Sequence, residues 1–323
     1  MISLREILVI PDGAAERANG APTSLELART PVLDSLARRG EVSTCLTTPP
    51  GLKPGSEVGI ATLLGATVRS QPSRGLIEAA AAGITVPDGD SAWRVDLYRH
   101  GRRFVPADRR RARLRLQAQL PGHEVHDLRG HRFLAVGARA PILPPAGIRT
   151  HVWGGAGQVL PAILDHATVV VCAPGAAAGI AAMMGAAAIV PAGATGAANT
   201  DLGAKAEAAV GAALEGARRV VVHVGWPDEA AHERDRGGKI EALEQIDGRL
   251  LAPLTETASA FGAVMHVCPD HGTDPDSGEH LAGPMPRVRA GAGIEPSGPA
   301  RLGEPELLAR SNDHPTASRS STR

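Results

Sequence analysis

The chain has 323 residues, enough for one large domain or two moderate ones. Its hydrophobic fraction of 43% is sufficient for a core, and 34 basic residues balance 34 acidic ones, so charge gives no general attraction to nucleic acid or to a membrane surface. The three cysteines form no CxxC pair, which argues against a zinc knuckle and a disulfide framework.

Two apolar segments were compared with the patterns of a signal peptide and of a membrane-spanning helix. The N-terminal MISLREILVIPDG lacks a charged segment followed by a long apolar stretch, so we expect no signal peptide. AGIAAMMGAAAIV is interrupted by glycine and is too short for a membrane span. We therefore expect a soluble, cytoplasmic protein.

The first predicted elements alternate between strand and helix. Residues 6–10 (EILVI) are a short apolar run typical of a buried parallel strand. Residues 30–40 predict an amphipathic helix that ends at Gly40, and residues 51–65 predict a Gly/Pro turn leading into a helix. Ser56 would lie near the start of that helix, where unpaired N–H groups favour a phosphate.

The composition of the sequence changes near residue 73, and a clear helical pattern begins near residue 199. An Arg-rich stretch covers 89–115, and short β-like runs broken by Pro and Gly fill 121–157. Further on, TVVVC predicts a strand, NTDLGAKAEAAVGAALEGA a helix, RVVVHVG a strand, KIEALEQIDGRLLAPLTETA a helix and FGAVMHVCPDHG a strand. This alternation predicts an α/β domain with a mainly parallel sheet.

Residues of the kind that bind metal ions gather near the two ends of the sequence, mostly just past predicted strands, where active residues of such sheets lie. They are Asp12, Ser56, Asp228, His232, Asp270, His271 and His280. Carboxylate, hydroxyl and imidazole groups suit manganese, zinc or magnesium, and imidazole favours the first two. Two such ions can hold the attacking and leaving oxygens of a phosphoryl transfer, and a serine on one of them becomes a nucleophile.

The spacing of these residues supports a shared site. Asp228 and His232 are four apart and would share one face of a helical turn, while Asp270 and His271 are adjacent at a strand end. Each also has a plain structural role open to it, because an aspartate after a strand is often a turn residue and a serine at a helix start is often an N-cap. The joint placement at strand ends, rather than any one residue, predicts the metal site.

Several motifs follow one another in a specific order: PDGAAE, PGSEVG, ADRRRARL, WGGAG, PDEAAH, and PDHGT followed by EH. In this order the chain, from about residue 6 to 290, resembles the archaeal-type cofactor-independent phosphoglycerate mutases of the alkaline phosphatase superfamily. The resemblance implies an alkaline-phosphatase-like core formed by 1–72 and 196–291, with a smaller inserted α+β cap over 73–195. Residues 292–323 would form a tail whose last dozen residues are disordered, given their composition.

The resemblance also implies two divalent metal ions, with manganese favoured and zinc or magnesium as alternatives. By matching motifs, one ion would be bound by Asp12, Ser56, Asp270 and His271, and the other by Asp228, His232 and His280. Ser56 would accept the phosphoryl group and then return it. Substrate phosphate and carboxylate would be held by Asp108, Arg109, Arg113, Arg132 and Lys205, with Arg94 as a further candidate.

The Arg-rich segment could also be a solvated helix face or a nucleic-acid patch. The net charge of the chain is zero, so we expect no nucleic-acid partner. Guanidinium groups fit phosphate and carboxylate well, which favours a small phosphorylated metabolite as the partner. The sequence does not indicate an oligomeric state.

The chain departs from its relatives in the cap, which is shortened between GARAPILPPAGIRT and HVWGGAGQ and carries WGGAG where they have an RGAG motif. The predicted metal ligands are all present, and we predict phosphoryl transfer through a phosphoserine at Ser56, on phosphoglycerate or a sugar-like analogue. The alternative is a diverged phosphatase or kinase-like phosphotransferase acting on another small molecule. A non-catalytic protein on a degenerate core would have lost ligands, yet all seven are present.

Overall fold

The computed structural model describes residues 3–17, 20–143 and 149–297. The α-helices within these ranges are α1 (Ser24–Leu27), α2 (Pro31–Arg39), α3 (Ser56–Leu63), α4 (Arg74–Ala81), α5 (Arg109–Gln119), α6 (Ala176–Met184), α7 (Leu202–Leu214), α8 (Trp226–His232), α9 (Arg236–Ile246) and α10 (Ala252–Phe261). A π-helical stretch, Asp247–Leu251, joins α9 to α10.

The strands are β1 (Glu6–Pro11), β2 (Glu41–Leu46), β3 (Ser91–Arg99), β4 (Arg102–Arg103), β5 (Glu124–Asp127), β6 (Arg132–Gly137), β7 (Arg149–Trp153), β8 (Thr168–Val171), β9 (Ala187–Ile189), β10 (Arg219–Val224), β11 (Val264–Val267), β12 (Gly272–Thr273), β13 (His280–Leu281) and β14 (Pro284–Ala290). No helix in the described ranges is long and apolar enough to cross a membrane.

Seven strands form the larger sheet, in the order β2-β14-β11-β1-β10-β8-β9. Strand β1 pairs in parallel with β10 and β11, β10 pairs in parallel with β8, and β8 with β9. Strand β14 runs antiparallel to both of its neighbours, β11 and β2. The predicted α/β fold with a mainly parallel sheet is therefore confirmed.

Strand β1 shows why both faces of this sheet are covered by helices. Ile7 and Val9 pack into one core together with side chains of α2, α7 and α10, whereas Leu8 and Ile10 pack into a second core with side chains of α3 and α6. All four residues are fully buried. Parallel strands buried on both faces read as continuous apolar runs, and each such side chain contributes about 1.5–3 kcal/mol by its burial.

Strands β3 to β7 form a second, antiparallel sheet. Strand β3 pairs with β4, β6 and β7, and β5 pairs with β6. Helix α5 packs on this sheet through Leu116, which joins Val95 and Phe133 in a small core. The strands of this sheet follow one another in the sequence between α4 and β8, so they separate β8 from the earlier strands of the larger sheet, β1 and β2.

The last strand of the second sheet ends well before residue 195, the predicted end of the insertion. Strands β8 and β9 fall inside the predicted range 73–195, yet β8 pairs with β10 and β9 pairs with β8 in the larger sheet, and the last strand of the second sheet is β7, which ends at Trp153. A four-residue apolar strand such as TVVV carries no local feature that says which sheet it joins. That the second sheet acts as a substrate cap stays a prediction, and most of the predicted 292–323 tail lies outside the described residues.

Candidate metal centre

The predicted ligands lie together at one edge of the larger sheet. Asp12 directly follows β1, Asp228 lies on α8 just past β10, and Asp270 follows β11. Neighbouring parallel strands end at the same edge, which brings these three carboxylates together. His280 begins β13, whose pairing with β12 returns the chain to the same place.

One group of ligand atoms comes from Asp228, His232 and His280, which lie within 4.8 Å of one another. The Nε2 atoms of His232 and His280 lie 3.3 and 3.5 Å from the Asp228 carboxylate and 2.9 Å from each other. Their Nδ1 atoms face the carbonyl oxygens of Gly278 (2.8 Å) and Pro54 (3.2 Å), which leaves Nε2 directed at the carboxylate. The predicted pairing of Asp228 with His232 across one helical turn is present.

A second group surrounds Asp12. The Ser56 hydroxyl, at the start of α3, lies 3.4 Å from Asp12 Oδ1 and 3.5 Å from His271 Nε2. His271 Nε2 lies 3.1 Å from Asp12 Oδ1. Asp270 Oδ1 accepts the backbone N–H groups of Gly13 (3.3 Å) and His271 (3.1 Å). The structure thus places Asp12, Ser56, Asp270 and His271 side by side.

His223 is a further residue of this group that the sequence did not reveal. It lies in β10, it is 8% exposed, and its Nε2 lies 3.2 Å from Asp12 Oδ2. Within RVVVHVG it reads as one polar residue of a buried strand, less conspicuous than the carboxylate that follows. The signal that could have found it is the rarity of a histidine inside an otherwise apolar parallel strand.

Burial and close charges shift the pKa values of this group. Burial and the nearby Asp12 carboxylate raise the pKa of Asp270 to about 6. Burial and Asp228 also raise the pKa of Asp12, but His223 and His271 outweigh them, so that pKa lies below its usual range. Burial lowers the pKa of His271, whereas Asp270 and Asp12 raise it well above its usual value. His271 thus stabilises the ionised forms of both Asp12 and Asp270.

The residues fit divalent cations. Asp270 is fully buried, and its Oδ2 has no hydrogen-bond partner in the described part of the chain. A buried anionic oxygen without a partner is costly, and a cation relieves that cost. Carboxylate oxygens, imidazole nitrogens and a serine hydroxyl are also the donor types that suit manganese, zinc and magnesium.

A cavity of about 570 Å³ lies beside these groups, between the edge of the larger sheet and the second sheet. Ser56, Asp228 and His280 line it on one side. On the other side the second sheet contributes Tyr98 and Trp153, although Phe, Trp and Tyr make up only 2% of the chain. A ligand in the cavity would therefore contact the Ser56 hydroxyl and the second sheet at once.

Two of the predicted substrate-binding residues, Arg94 and Arg132, line this cavity. Arg94 is held by Glu78 (3.2 Å) and Asp96 (2.8 Å), so its charge is already paired. No acidic side chain in the described ranges lies within ion-pair distance of the Arg132 guanidinium. Burial lowers the pKa of Arg132, and the neighbouring Arg94 lowers it further, whereas Glu78 raises it. Arg132 is thus the better placed of the two to bind a substrate anion.

Three other predicted residues serve the second sheet and are not among those lining the cavity. Asp108 caps α5, because its side chain accepts the backbone N–H of the third helical residue at 2.8 Å. Arg109 binds Asp127 through its Nε at 2.8 Å, and Arg113 donates to the carbonyl oxygen of Val125 at 3.2 Å. Their contact with substrate stays a prediction that this placement does not favour.

Lys205 lies behind the metal ligands rather than on the cavity surface. Its side chain is fully buried, and Nζ donates to the carbonyl oxygen of His223 at 2.9 Å. Burial lowers the pKa of Lys205 to about 8. The contact of Lys205 with substrate likewise stays a prediction, since the structure shows its Nζ bonded to the backbone of β10.

The chain is similar to known proteins over most of its length. Residues 5–314 match the model of the Metalloenzyme superfamily. The 2,3-bisphosphoglycerate-independent phosphoglycerate mutases of Ignicoccus hospitalis and Methanopyrus kandleri are 29% and 28% identical, covering 88% and 87% of this chain and 88% and 86% of their own.

Two solved structures share the fold. A protein of Pyrococcus horikoshii aligns with a TM-score of 0.74 at 24% identity, covering 96% of this chain and 92% of its own. The cofactor-independent phosphoglycerate mutase of Thermoplasma acidophilum aligns with a TM-score of 0.56 at 18% identity, covering 94% of each chain. The resemblance predicted from the motifs is confirmed, and this chain belongs to the Metalloenzyme superfamily.

Proposed function

We propose that this protein is a metal-dependent phosphotransferase of the phosphoglycerate mutase type, in which Ser56 carries the phosphoryl group of a small phosphorylated metabolite. One observation carries the proposal: the Ser56 hydroxyl lies within 3.5 Å of both Asp12 and His271 and faces a cavity large enough for a metabolite. The names of the relatives, which are phosphoglycerate mutases, support the same reaction class.

Two divalent ions fit the seven predicted ligands, with manganese favoured and zinc or magnesium as alternatives. Asp12, Ser56, Asp270 and His271 would hold one ion, and Asp228, His232 and His280 would hold the other. When bound, such ions lower the pKa of a serine hydroxyl and offset negative charge on a phosphoryl group.

Ser56 performs the transfer in two steps. Its Oγ attacks phosphorus, so that the Oγ–P bond forms, the substrate O–P bond breaks, and the serine proton ends on the leaving oxygen. In the second step another substrate hydroxyl attacks the phosphoserine, and the proton returns to Oγ. Ser56 is the first residue of α3, and the partial positive charge at the start of a helix favours a negative phosphoryl group there.

The second sheet binds and orients the rest of the substrate. Arg132, which has no acidic partner in the described ranges, would bind a phosphate or carboxylate oxygen. Arg94, fixed by Glu78 and Asp96, would present a N–H donor in a defined place. For a mutase, the same wall must also keep water away from the phosphoserine.

The test is incubation of the protein with Mn²⁺ and 3-phosphoglycerate, following both 2-phosphoglycerate and free phosphate. Interconversion supports the mutase. Ser56→Ala should reduce turnover by at least about 1,000-fold, because the nucleophile is removed. Ser24→Ala is the matched control, since Ser24 is also the first residue of a helix and lies away from the cavity. Unchanged turnover in Ser56→Ala would rule out the covalent mechanism.

A second candidate is hydrolysis, or transfer to a different small molecule. The cavity volume falls in the range of roughly 300–1,000 Å³ that is typical of pockets for drug-sized ligands. Glu57, Asp96 and Glu229 also line it, and each lies within ion-pair distance of an arginine, namely Arg74, Arg94 and Arg103. Release of phosphate alone would support a phosphatase. Neither product would direct the search to other phosphorylated metabolites or to a nucleotide donor.

A further inference from the structure

His223 occupies a place in the metal centre that none of the predicted ligand assignments uses. It lies on β10 opposite Ile10 of β1, two residues before Asp12 in that parallel pairing. Its side chain is 8% exposed, and its Nε2 lies 3.2 Å from Asp12 Oδ2. The imidazole is therefore buried beside the carboxylate, and its Nε2 makes no hydrogen bond within the described residues.

The Asp12 carboxylate has one imidazole on each oxygen. His271 Nε2 lies 3.1 Å from Oδ1, and His223 Nε2 lies 3.2 Å from Oδ2. The predicted ligand set includes the first imidazole and omits the second. Distance alone gives no reason to treat the two differently.

Asp270 supplies the second observation. Its free Oδ2 is buried and has no hydrogen-bond partner in the described residues. Ligand atoms of Asp12, His223 and Asp270 all lie within 4.8 Å of one another. Two carboxylates and an imidazole that converge in a buried place leave excess negative charge, which a divalent cation would neutralise.

A buried histidine on the next strand but one shows what a purely structural pair looks like. His266 on β11 is also 8% exposed, and its Nδ1 lies 3.0 Å from Glu6 Oε1. There, however, Arg219 Nε lies 2.7 Å from the other Glu6 oxygen, so the carboxylate charge is satisfied by protein groups. Around His223, by contrast, Asp270 Oδ2 makes no hydrogen bond in the described residues, and its ion-pair contact with His271 Nε2 is long, at 3.7 Å.

Lys205 fixes the backbone from which His223 projects. Its buried Nζ donates to the His223 carbonyl oxygen at 2.9 Å. A buried ammonium is expensive, so its place directly under this residue indicates that the strand is held in register at the metal centre. Preorganised ligands of this kind are what a binding site for an ion requires.

We propose that His223 Nε2 is a ligand, together with Asp12 and Asp270, of the divalent ion at this end of the centre. The inference rests on the proposed function, because it presupposes that these carboxylates hold an ion. It adds a fourth imidazole to the centre, beside those of His232, His271 and His280.

The test measures binding of Mn²⁺ alone, by calorimetric titration of metal-free protein, without any assay of turnover. His223→Phe and His223→Gln should each weaken the binding of one ion by more than about 10-fold, because loss of even a group that only hydrogen-bonds to a metal ligand costs about 10–100-fold. His266→Phe is the matched control and should bind Mn²⁺ within twofold of the wild type. Circular dichroism checks that each variant is folded.

Two results would overturn the inference. One is wild-type affinity in folded His223→Phe. The other is wild-type affinity in His223→Gln, because its side-chain amide can still donate to Asp12 and would show that His223 only orients that carboxylate. If neither variant folds, ¹⁵N NMR of histidine-labelled wild type titrated with Zn²⁺ decides: four imidazoles should shift on direct binding, and three would contradict the proposal.

The outcome also separates this inference from the proposed function. If wild-type protein binds no Mn²⁺ or Zn²⁺, the metal centre itself fails and both fall. If wild type binds ions and the His223 variants match it, only the role of His223 fails, and the test of Ser56 with 3-phosphoglycerate stands unchanged.

Discussion

Glu6 is a single residue that ties together three strands of the larger sheet, at the end opposite the metal centre. Its carboxylate, on β1, contacts Arg219 of β10 at 2.7 Å and His266 of β11 at 3.0 Å. Burial raises the pKa of Glu6, but the hydrogen bond with His266 and the charge of Arg219 outweigh it and lower the pKa to about 2. The ionised form is therefore the one that stabilises the fold.

The sign of the pH dependence follows. A pKa that is lower in the folded chain than its ordinary value of 4.5 contributes stability that is present above pH 4.5 and is lost as the pH falls toward 2. The shift corresponds to at most about 3 kcal/mol, and partial exposure reduces this to about 1–2 kcal/mol. We expect Glu6→Gln to lose that amount at pH 7 and progressively less below pH 4.

Urea unfolding of wild type and Glu6→Gln at several pH values from 7 to 3 measures this difference. Glu256→Gln, at an exposed position of α10, is the control and should change the free energy of unfolding by no more than about 0.5 kcal/mol. A difference between Glu6→Gln and wild type that stays constant down to pH 3 would show that the ionisation of Glu6 is not its cause.

For single residues, the sequence predicted which side chains gather at the sheet edge better than it predicted what each one contacts. Asp12, Asp228 and Asp270 could be predicted because each follows an apolar strand and parallel strands end at one edge. His223 was not predicted, since its side chain lies within a strand and only the pairing of β10 with β1 places it beside Asp12. Arg109 and Arg132 look alike in sequence, yet Asp127 binds the first and leaves the second to the cavity.

Helix α3 is the element that brings Ser56 to the carboxylates, and a glycine makes its close approach possible. Gly59 lies one turn after Ser56, and a Cβ at this position would lie 2.1 Å from the carbonyl oxygen of Asp270. Val58 and Ile60 on either side are fully buried, so the helix cannot simply shift outward. The close approach of α3, and so of Ser56, to Asp270 in the loop after β11 therefore requires that residue 59 has no side chain.

We expect Gly59→Ala to lower the free energy of unfolding by about 1–3 kcal/mol, because the added methyl group meets a backbone atom that cannot rotate away. Gly211→Ala in α7 is the matched control: it is also a helical glycine, but no heavy atom lies within 4 Å of its added Cβ. That control should gain up to about 1 kcal/mol from helix propensity. Urea unfolding measures both, and a Gly59→Ala variant as stable as wild type would contradict the close packing of α3.

The sequence predicts the elements that depend on the pattern of their own residues, and not those that depend on pairing with residues far away in the sequence. Strands β1, β10 and β11 and helices α2 and α7 follow from their own patterns. The sheet that β8 joins depends instead on its pairing with β10, a contact with residues some 50 positions away, and β9 joins the same sheet by pairing with β8. For that reason the predicted insertion extended to 195, whereas the second sheet ends with β7.

At the scale of the whole molecule, the metal centre joins segments that are far apart in sequence. Asp12 and Ser56 come from the N-terminal segment, Asp228 and His232 from α8, and Asp270 from the loop after β11. The second sheet, which interrupts the larger unit, provides none of the predicted ligands. Since an unfolded chain does not hold these groups together, an ion that binds here binds the folded state and stabilises it.

Mn²⁺ should therefore raise the thermal midpoint of unfolding. A single ion at 100 times its dissociation constant adds about 2.7 kcal/mol, which corresponds to a few degrees for a chain of this size. Differential scanning calorimetry in Mn²⁺, against NaCl of the same ionic strength, measures the effect. Asp270→Asn removes one buried carboxylate of the centre and should reduce the increment that Mn²⁺ gives. An equal increment in the variant and the wild type would mean that Mn²⁺ stabilises the protein from some other place.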